Sequence, residues 1–249
     1  MRIHDSLSLL ASMQFGLGGP RDGHVYAVAG PEGGVLVDSG AGTDTGRILQ
    51  VLAEDLPGLA VRALLLTHYH LDHCGGAAEL REATGCEVFG PEPCRFILEQ
   101  ADEAASGLKA ARDQGVYPAD FRLRACEVTR PIRDGETFTA AGRQFTAIHV
   151  RGHCREASCY LTRMDGAAWL FTGDAVFYGG VLGVINAEGS GMDGYRADLH
   201  KLGGLGVDGL FPGHGLFTLR NGQRHIDCAI TQAAGGFLGR QVGQGDLLF

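Results

Sequence analysis

Short apolar runs separated by glycine-rich turns mark the chain from residue 24 onward. His24 to Ala29 and Gly34 to Asp38 are rich in β-branched and aromatic residues and read as paired strands. Thr43 or Asp44 is placed to cap a following helix, which runs to about Leu56 and stops at Pro57-Gly58. Ala63-Leu64-Leu65-Leu66 is apolar throughout and fits a buried strand. Ala77 to Ala83 is helical in pattern, and Glu87 to Phe89 is the next strand. Glu92 to Arg112 carries a helical pattern with Phe96, Ile97 and Leu108 among alanines, and is expected to continue to about Arg124. Such an insertion is either a lid or pocket wall, or a helix that merely bridges two sheets.

A second strand-rich half begins near Val128. Glu136 to Thr139, Arg143 to Val150, Ser158 to Thr162 and Trp169 to Thr172 are short strands, separated by Asp134-Gly135, Ala141-Gly142 and Asp165-Gly166 turns. Helices from about Met192 to Leu202 and from about Gly222 to Ala234 complete the pattern. No proline-rich or serine-rich linker divides the chain. Residues 1–249 are therefore expected to form one domain with a helical insertion at about 92–124.

Composition narrows the class. Hydrophobic residues make up 45% and charged residues 20%, enough for a sizeable core and too apolar for a disordered chain. Lysine and arginine total 21 against 29 acidic residues, a net charge of −8, which disfavours nucleic acid and anionic membrane as partners. Forty glycines point to tight turns and close backbone approaches around a site. The seven cysteines lack the spacing of a secreted disulfide framework and read as reduced, mostly buried thiols. Neither a signal peptide nor a membrane-length apolar run is visible, so the expected location is cytoplasmic.

The chemistry concentrates in Thr67-His68-Tyr69-His70-Leu71-Asp72-His73, at the mouth of a buried strand and just before Cys74-Gly75-Gly76. Imidazole nitrogen and carboxylate oxygen are ligands preferred by zinc and similar divalent ions. Later strand ends each add one candidate: His153 in Arg151-Gly152-His153-Cys154, Asp174 after Phe171-Thr172-Gly173, and His214 in Pro212-Gly213-His214-Gly215. Together, His68, His70, Asp72, His73, His153, Asp174 and His214 are too many for one tetrahedral ion and suit two ions sharing a carboxylate. Asp38, at the end of its strand, is either a further ligand or a group that holds the loop or a ligand histidine. His24 either faces the site or finishes a strand. Cys74 and Cys154 adjoin ligands and are read as packing residues.

The series H-Y-H-L-D-H, G-H-C, F-T-G-D and P-G-H-G resembles the metallo-β-lactamase-fold hydrolase superfamily, in its lactonase and glyoxalase II-like branch, and L-V-D-S-G resembles that family's early aspartate motif. The match spans roughly Val25 to Gly215. The resemblance implies an α/β (α+β) fold, a four-layer αββα sandwich, with His68, His70 and His153 on one metal, Asp72, His73 and His214 on a second, and Asp174 bridging. Two divalent ions are expected, zinc first, with manganese or iron also compatible. Ions ~4 Å apart can share a water and bring its pKa towards neutrality, giving a metal-bound hydroxide that attacks a carbonyl. Asp72 would orient that nucleophile and pass its proton to the leaving group. Tyr178 resembles a lactonase tyrosine that steadies the substrate carbonyl, displaced by one position to where this chain has Phe177; it is either an oxyanion donor or a pocket wall.

The substrate expected from these features is a small molecule, foremost a lactone. A glyoxalase II-like thioester is the alternative, because Gly173-Asp174-Ala175-Val176-Phe177 shares that family's pattern, although the stretch after His214 is short and not basic. An iron-dependent oxidoreductase of the same fold, similar to persulfide dioxygenases, is a third reading. No nucleic-acid or membrane partner is expected, and a homodimer stays open.

Overall fold

The computed structural model describes residues 1–235. Two compact units account for them: Met1–Ile132 with Ala140–Gly142, and Arg133–Thr139 with the described residues from Arg143 onward.

The first unit is built on a seven-stranded sheet whose strands follow chain order: β1 (Arg2–His4), β2 (Leu7–Ala11), β3 (Val25–Gly30), β4 (Gly33–Val37), β5 (Val61–Leu65), β6 (Glu87–Pro91) and β7 (Arg130–Ile132). Pairing is antiparallel from β1 to β4 and parallel from β4 to β7. The switch follows from the connections. A tight Pro31-Glu32 turn can join only antiparallel neighbours, whereas α1 (Thr45–Asp55) and α3 (Ala77–Thr84) are crossovers long enough for parallel ones. Asp44 caps α1 by accepting from the Arg47 N–H, and Leu56 ends it, as the sequence indicates. Leu7, Leu9, Val35, Leu36, Leu64, Leu65 and Phe89 are buried on this sheet.

The insertion departs from its expected form. Instead of one helix to Arg124, it forms α4 (Glu92–Glu99) and α5 (Leu108–Asp113), with a turn between and no helix beyond. Ala101 and Gly107 adopt positive φ, which interrupts the helix, and the apolar stripe expected to bridge them restarts at Leu108. Beyond Gln114 the chain is held by side chains: Arg112 donates to the Phe121 carbonyl and pairs with Glu103, whose other oxygen accepts from the Leu123 N–H.

The second unit carries a five-stranded sheet in the order β12-β11-β10-β9-β8, with β8 (Thr137–Ala140), β9 (Arg143–Val150), β10 (Ala157–Met164), β11 (Ala167–Gly173) and β12 (Gly209–Pro212). β9, β10 and β11 are antiparallel, and β12 joins β11 in parallel. α6 (Met192–Asp198) continues into a single 3-10 turn, Leu199–Leu202, where one helix to Leu202 is expected; α7 (Gly222–Ala234) follows its predicted range. Val150, Leu170, Tyr195, Leu199, Leu210, Ile226 and Ala229 belong to one buried cluster under these helices. The strands missed by pattern, β1, β2, β7 and β12, are short or lie where turn residues mask the alternation. No helix among the described residues is long and apolar enough to cross a membrane.

Candidate metal centre

In the first unit, β5 delivers the chain to Thr67 and a short α2 (Leu71–Cys74) closes the loop. Gly75 and Gly76 pack so tightly on the Ala41 and Ser39 carbonyls that any Cβ there would overlap them. Ser39 fastens the same loop, its N–H and hydroxyl both donating to the His73 carbonyl. Asp38 follows β4 with φ 62°, a conformation aspartate tolerates better than most residues. That turn aims its carboxylate back at the loop, where it accepts from the Thr67 N–H (2.7 Å), the Thr67 hydroxyl (2.8 Å) and His73 Nδ1 (2.8 Å). Burial pushes the Asp38 carboxyl upward, and His73 and Thr67 pull it back.

These bonds fix which imidazole nitrogens are available. With its hydrogen directed to Asp38, the Thr67 hydroxyl accepts from His68 Nδ1 at 3.0 Å, and His73 Nδ1 donates to Asp38 directly. Both histidines therefore keep an unprotonated Nε2. His68 Nε2 lies 3.1 Å from His70 Nδ1, and His73 Nε2 lies 3.4 Å from Asp72 Oδ2. Two pairs of candidate donor atoms thus stand side by side, His68 and His73 fully buried and Asp72 partly open.

In the second unit, His153 follows β9, Asp174 follows β11 and His214 follows β12, so three strand ends of one sheet each supply one side chain. Asp174 Oδ2 lies 3.5 Å from His153 Nε2 and 3.6 Å from His214 Nε2. A carboxylate oxygen set evenly between two imidazoles has the placement of a shared ligand. His153 Nδ1 donates to the Gly183 carbonyl at 2.5 Å, freeing Nε2 as in the first unit. The fully buried Tyr195 hydroxyl accepts from the Gly183 N–H (3.1 Å) and donates to the Asp174 carbonyl (3.3 Å), tying the two ligand segments together. All seven expected residues sit in groups of histidine and aspartate donors of the kind that hold a metal ion.

A family model described as the metallo-beta-lactamase superfamily matches residues 18–214, which contain all seven donors. The chain belongs to the metallo-beta-lactamase superfamily. Among its relatives, a hydroxyacylglutathione hydrolase of Marinomonas sp. (strain MWYL1) is 28% identical over 158 residues, 64% of this chain and 48% of that one. An atrochrysone carboxyl ACP thioesterase of Aspergillus fumigatus is 27% identical over 199 residues, 77% of this chain and 50% of that one. The chain thus spans about half the length of these two relatives. A subclass B3 metallo-beta-lactamase of Bradyrhizobium japonicum superposes with a TM-score of 0.68 at 20% identity, covering 93% of this chain and 89% of that one. The fold class is that of the superfamily, mixed sheets with helices in an α/β sandwich.

Other members of the expected site resolve differently in this superfamily member. Asp38 spends its carboxylate on Thr67 and His73, the holding role rather than a ligand role. His24 is buried with Nδ1 2.9 Å from the Tyr26 hydroxyl, and finishes the approach to β3. Tyr178 is 43% exposed and its ring lies 4.1 Å from that of His225 on α7, while the buried Phe177 is the ring beside His214, at 6.3 Å. Cys74 and Cys154 are buried and donate to backbone carbonyls, and burial drives the Cys74 thiol far up, away from a reactive thiolate. All seven cysteines are free thiols, six of them buried. Sequence reasoning missed Asp22, buried and accepting from the Gly19 (2.6 Å) and Ala41 (2.8 Å) N–H groups, and it missed Gly183 and Tyr195. Apart from the local Gly19–Asp22 bond, these contacts join segments well separated along the chain.

Proposed function

We propose that the protein is a metal-dependent hydrolase of small acyl compounds, with His68, His70 and His153 holding one divalent ion, Asp72, His73 and His214 a second, and Asp174 shared. The observation that carries this reading is Asp174 Oδ2 standing 3.5 and 3.6 Å from two imidazole Nε2 atoms, in a set whose Nδ1 positions are occupied by Asp38, Thr67 and Gly183. The donor chemistry fits zinc first, and manganese or iron second. When bound, the ion pair supplies a water acidic enough to attack at neutral pH. Asp72, partly open and held by α2, would accept a proton from a water there and return it to the leaving group as the acyl bond breaks. The new C–O bond forms as the C–S or C–O bond to the leaving group is lost, so one water is consumed and an acid and a thiol or alcohol appear. Tyr178, exposed beside His225, is the phenol we assign to the substrate carbonyl, as its place four residues after Asp174 suggests.

Thioesters are the favoured substrate class, supported by two relatives named for thioester hydrolysis. Lactones, which present the same acyl carbon, are the second class, supported by the first-loop ligand series. The partner is a small molecule. The test combines elemental analysis with hydrolysis of a hydroxyacylglutathione and a γ-lactone under anaerobic conditions. Close to two ions per chain and metal-dependent turnover are expected. One ion or none, or turnover that appears only as oxygen uptake by iron-loaded protein, overturns the reading.

A further inference from the structure

Between Asp174 and Gly183 the chain makes a tight hairpin. Val176 bridges Leu182, and the Phe177 N–H donates to the Val181 carbonyl at 2.9 Å. The tip is Tyr178-Gly179-Gly180, where both glycines take φ 78°, a left-handed conformation that glycine adopts freely. The hairpin leaves from one candidate metal donor, Asp174, and returns at Gly183, whose carbonyl backs another, His153.

α7 grips that tip. His225 Nδ1 accepts from the Gly179 N–H at 3.0 Å, and the Cys228 thiol donates to the Gly179 carbonyl at 3.5 Å. Gly180 lies so close to the helix that a Cβ there would come within 2.8 Å of the Ala229 nitrogen. The imidazole of His225 also packs on the Tyr178 ring, with centroids 4.1 Å apart and planes tilted by 37°. One side chain thus holds both the backbone of the tip and the ring that the tip presents.

The bond from Gly179 fixes the state of the imidazole. A backbone N–H can only donate, so Nδ1 is unprotonated and the ring proton sits on Nε2. A second proton would go to Nδ1, break that bond and set two N–H groups against each other. Arg224 is the charged group that acts on His225; the titratable groups about it are Tyr178 across the ring contact and Cys228 one turn along α7. Burial, and after it the Arg224 charge, lower the His225 pKa. The neutral ring is therefore the form at pH 7, and its bond to Gly179 is lost as pH falls through the lowered midpoint.

We infer that His225 is a positioning residue for the hydrolytic reaction, whose neutral imidazole fixes the Gly179 backbone and the Tyr178 ring so that the phenol meets the acyl oxygen of a substrate. This rests on the hydrolase reading above and on the place given there to Tyr178. An unclamped tip lets the phenol turn away from the acyl oxygen, and the hydrogen bond that strengthens in the transition state is then made by fewer molecules.

The test compares zinc-loaded parent, His225→Ala, His225→Asn and Tyr178→Phe from about pH 5 to 8, the range in which histidine titrates. Asparagine sets Oδ1 where Nδ1 stood and does not titrate. Zinc content is expected to be the same in all four. At pH 7, kcat/KM for a hydroxyacylglutathione should fall about tenfold in His225→Ala and on the order of 100-fold in Tyr178→Phe. His225→Asn should recover it to within about threefold of the parent, the ring contact alone being lost. The ratio of parent to His225→Asn activity should drop in acid, at the pH where the parent's Gly179 amide resonance shifts with the His225 ring. A Gly179 amide that ignores the His225 titration, a ratio flat with pH, or His225→Ala within about twofold of the parent overturns the role of His225 while the hydrolase reading stands. So does a loss in His225→Ala that tracks lost zinc, or parent-like turnover in Tyr178→Phe. Zinc-loaded parent that hydrolyses no acyl substrate overturns the hydrolase reading, and the role of His225 with it, even where the Gly179 amide follows the His225 ring.

Discussion

Replacing Asp38 by asparagine separates the charge of the buried carboxylate from its shape. Asparagine accepts the φ of 62° as readily as aspartate, so the turn after β4 is not perturbed. The amide oxygen can keep the Thr67 N–H, at 2.7 Å in the parent. The amide nitrogen then takes the place of Oδ2, which accepts from both the Thr67 hydroxyl and His73 Nδ1 at 2.8 Å. An NH2 group cannot accept, so His73 must move its proton to Nε2, and the Thr67 hydroxyl must turn and cease to receive the His68 Nδ1 proton. Both imidazoles then lose the lone pair that faces a cation. Losing one charge-assisted bond costs about 1.5–3 kcal/mol of stability. Misdirecting a ligand through its backing group costs about 10- to 100-fold in metal affinity. Chelator competition against zinc, with urea unfolding of the metal-free protein alongside, measures both. Zinc affinity within twofold of the parent would refute the tautomer argument, whatever the stability change.

Two further expectations test the second unit. Gly183→Ala would drive a Cβ into the Asp174 carbonyl and to 2.8 Å from His153 Nδ1, so zinc affinity should fall at least tenfold, with about 1–3 kcal/mol lost from stability; parent-like chelator competition would show that the ligands tolerate the shift. Asp198, buried and bonded by the Arg151 guanidinium at 2.5 and 3.1 Å, has its carboxyl pulled down to about 2 from an ordinary 3.8. A depressed folded-state pKa contributes stability above pH 3.8 that disappears as pH falls through 2. Asp198→Asn should therefore cost about 1–2 kcal/mol at pH 7, allowing for the exposed Arg151, and almost nothing near pH 2; an equal cost at both pH values in urea unfolding would discount the ion pair.

Much of this organisation is legible in the amino-acid sequence, and the reasons differ by element. The loop from Thr67 to His73 announces itself because three imidazoles and a carboxylate within one turn form the donor set of a metal ion and suit little else. α1 and α7 are legible from apolar spacing and their stop signals. β1 and β7 are not, because three residues are too few for a period to register. The insertion misleads because alanines favour helix locally, while Ala101 and Gly107 adopt left-handed backbone set by the tertiary ties of Glu103 and Arg112. Tyr195 carries no local signal at all. Its meaning comes from Asp174, far along the chain.

The backing groups differ between the units in a way that makes their failures distinguishable. Asp38 serves two histidines, one directly and one through the Thr67 hydroxyl, and in the proposed assignment those histidines belong to different ions. Its loss cannot be confined to one metal position. Gly183 serves only His153 directly, and Tyr195 adds a bond to the Asp174 carbonyl. Disturbing that clamp should weaken the position of His153 and the shared carboxylate while His73 keeps its backing. Chelator titrations of Asp38→Asn should therefore lose both binding phases together, and those of Gly183→Ala should lose one phase more deeply than the other. A carboxylate also makes an imidazole more basic than a carbonyl does, so His73 is a stronger donor than His153. The reverse pattern, two phases falling together in Gly183→Ala and only one in Asp38→Asn, would mean that the Thr67 relay does not transmit the state of Asp38 to His68.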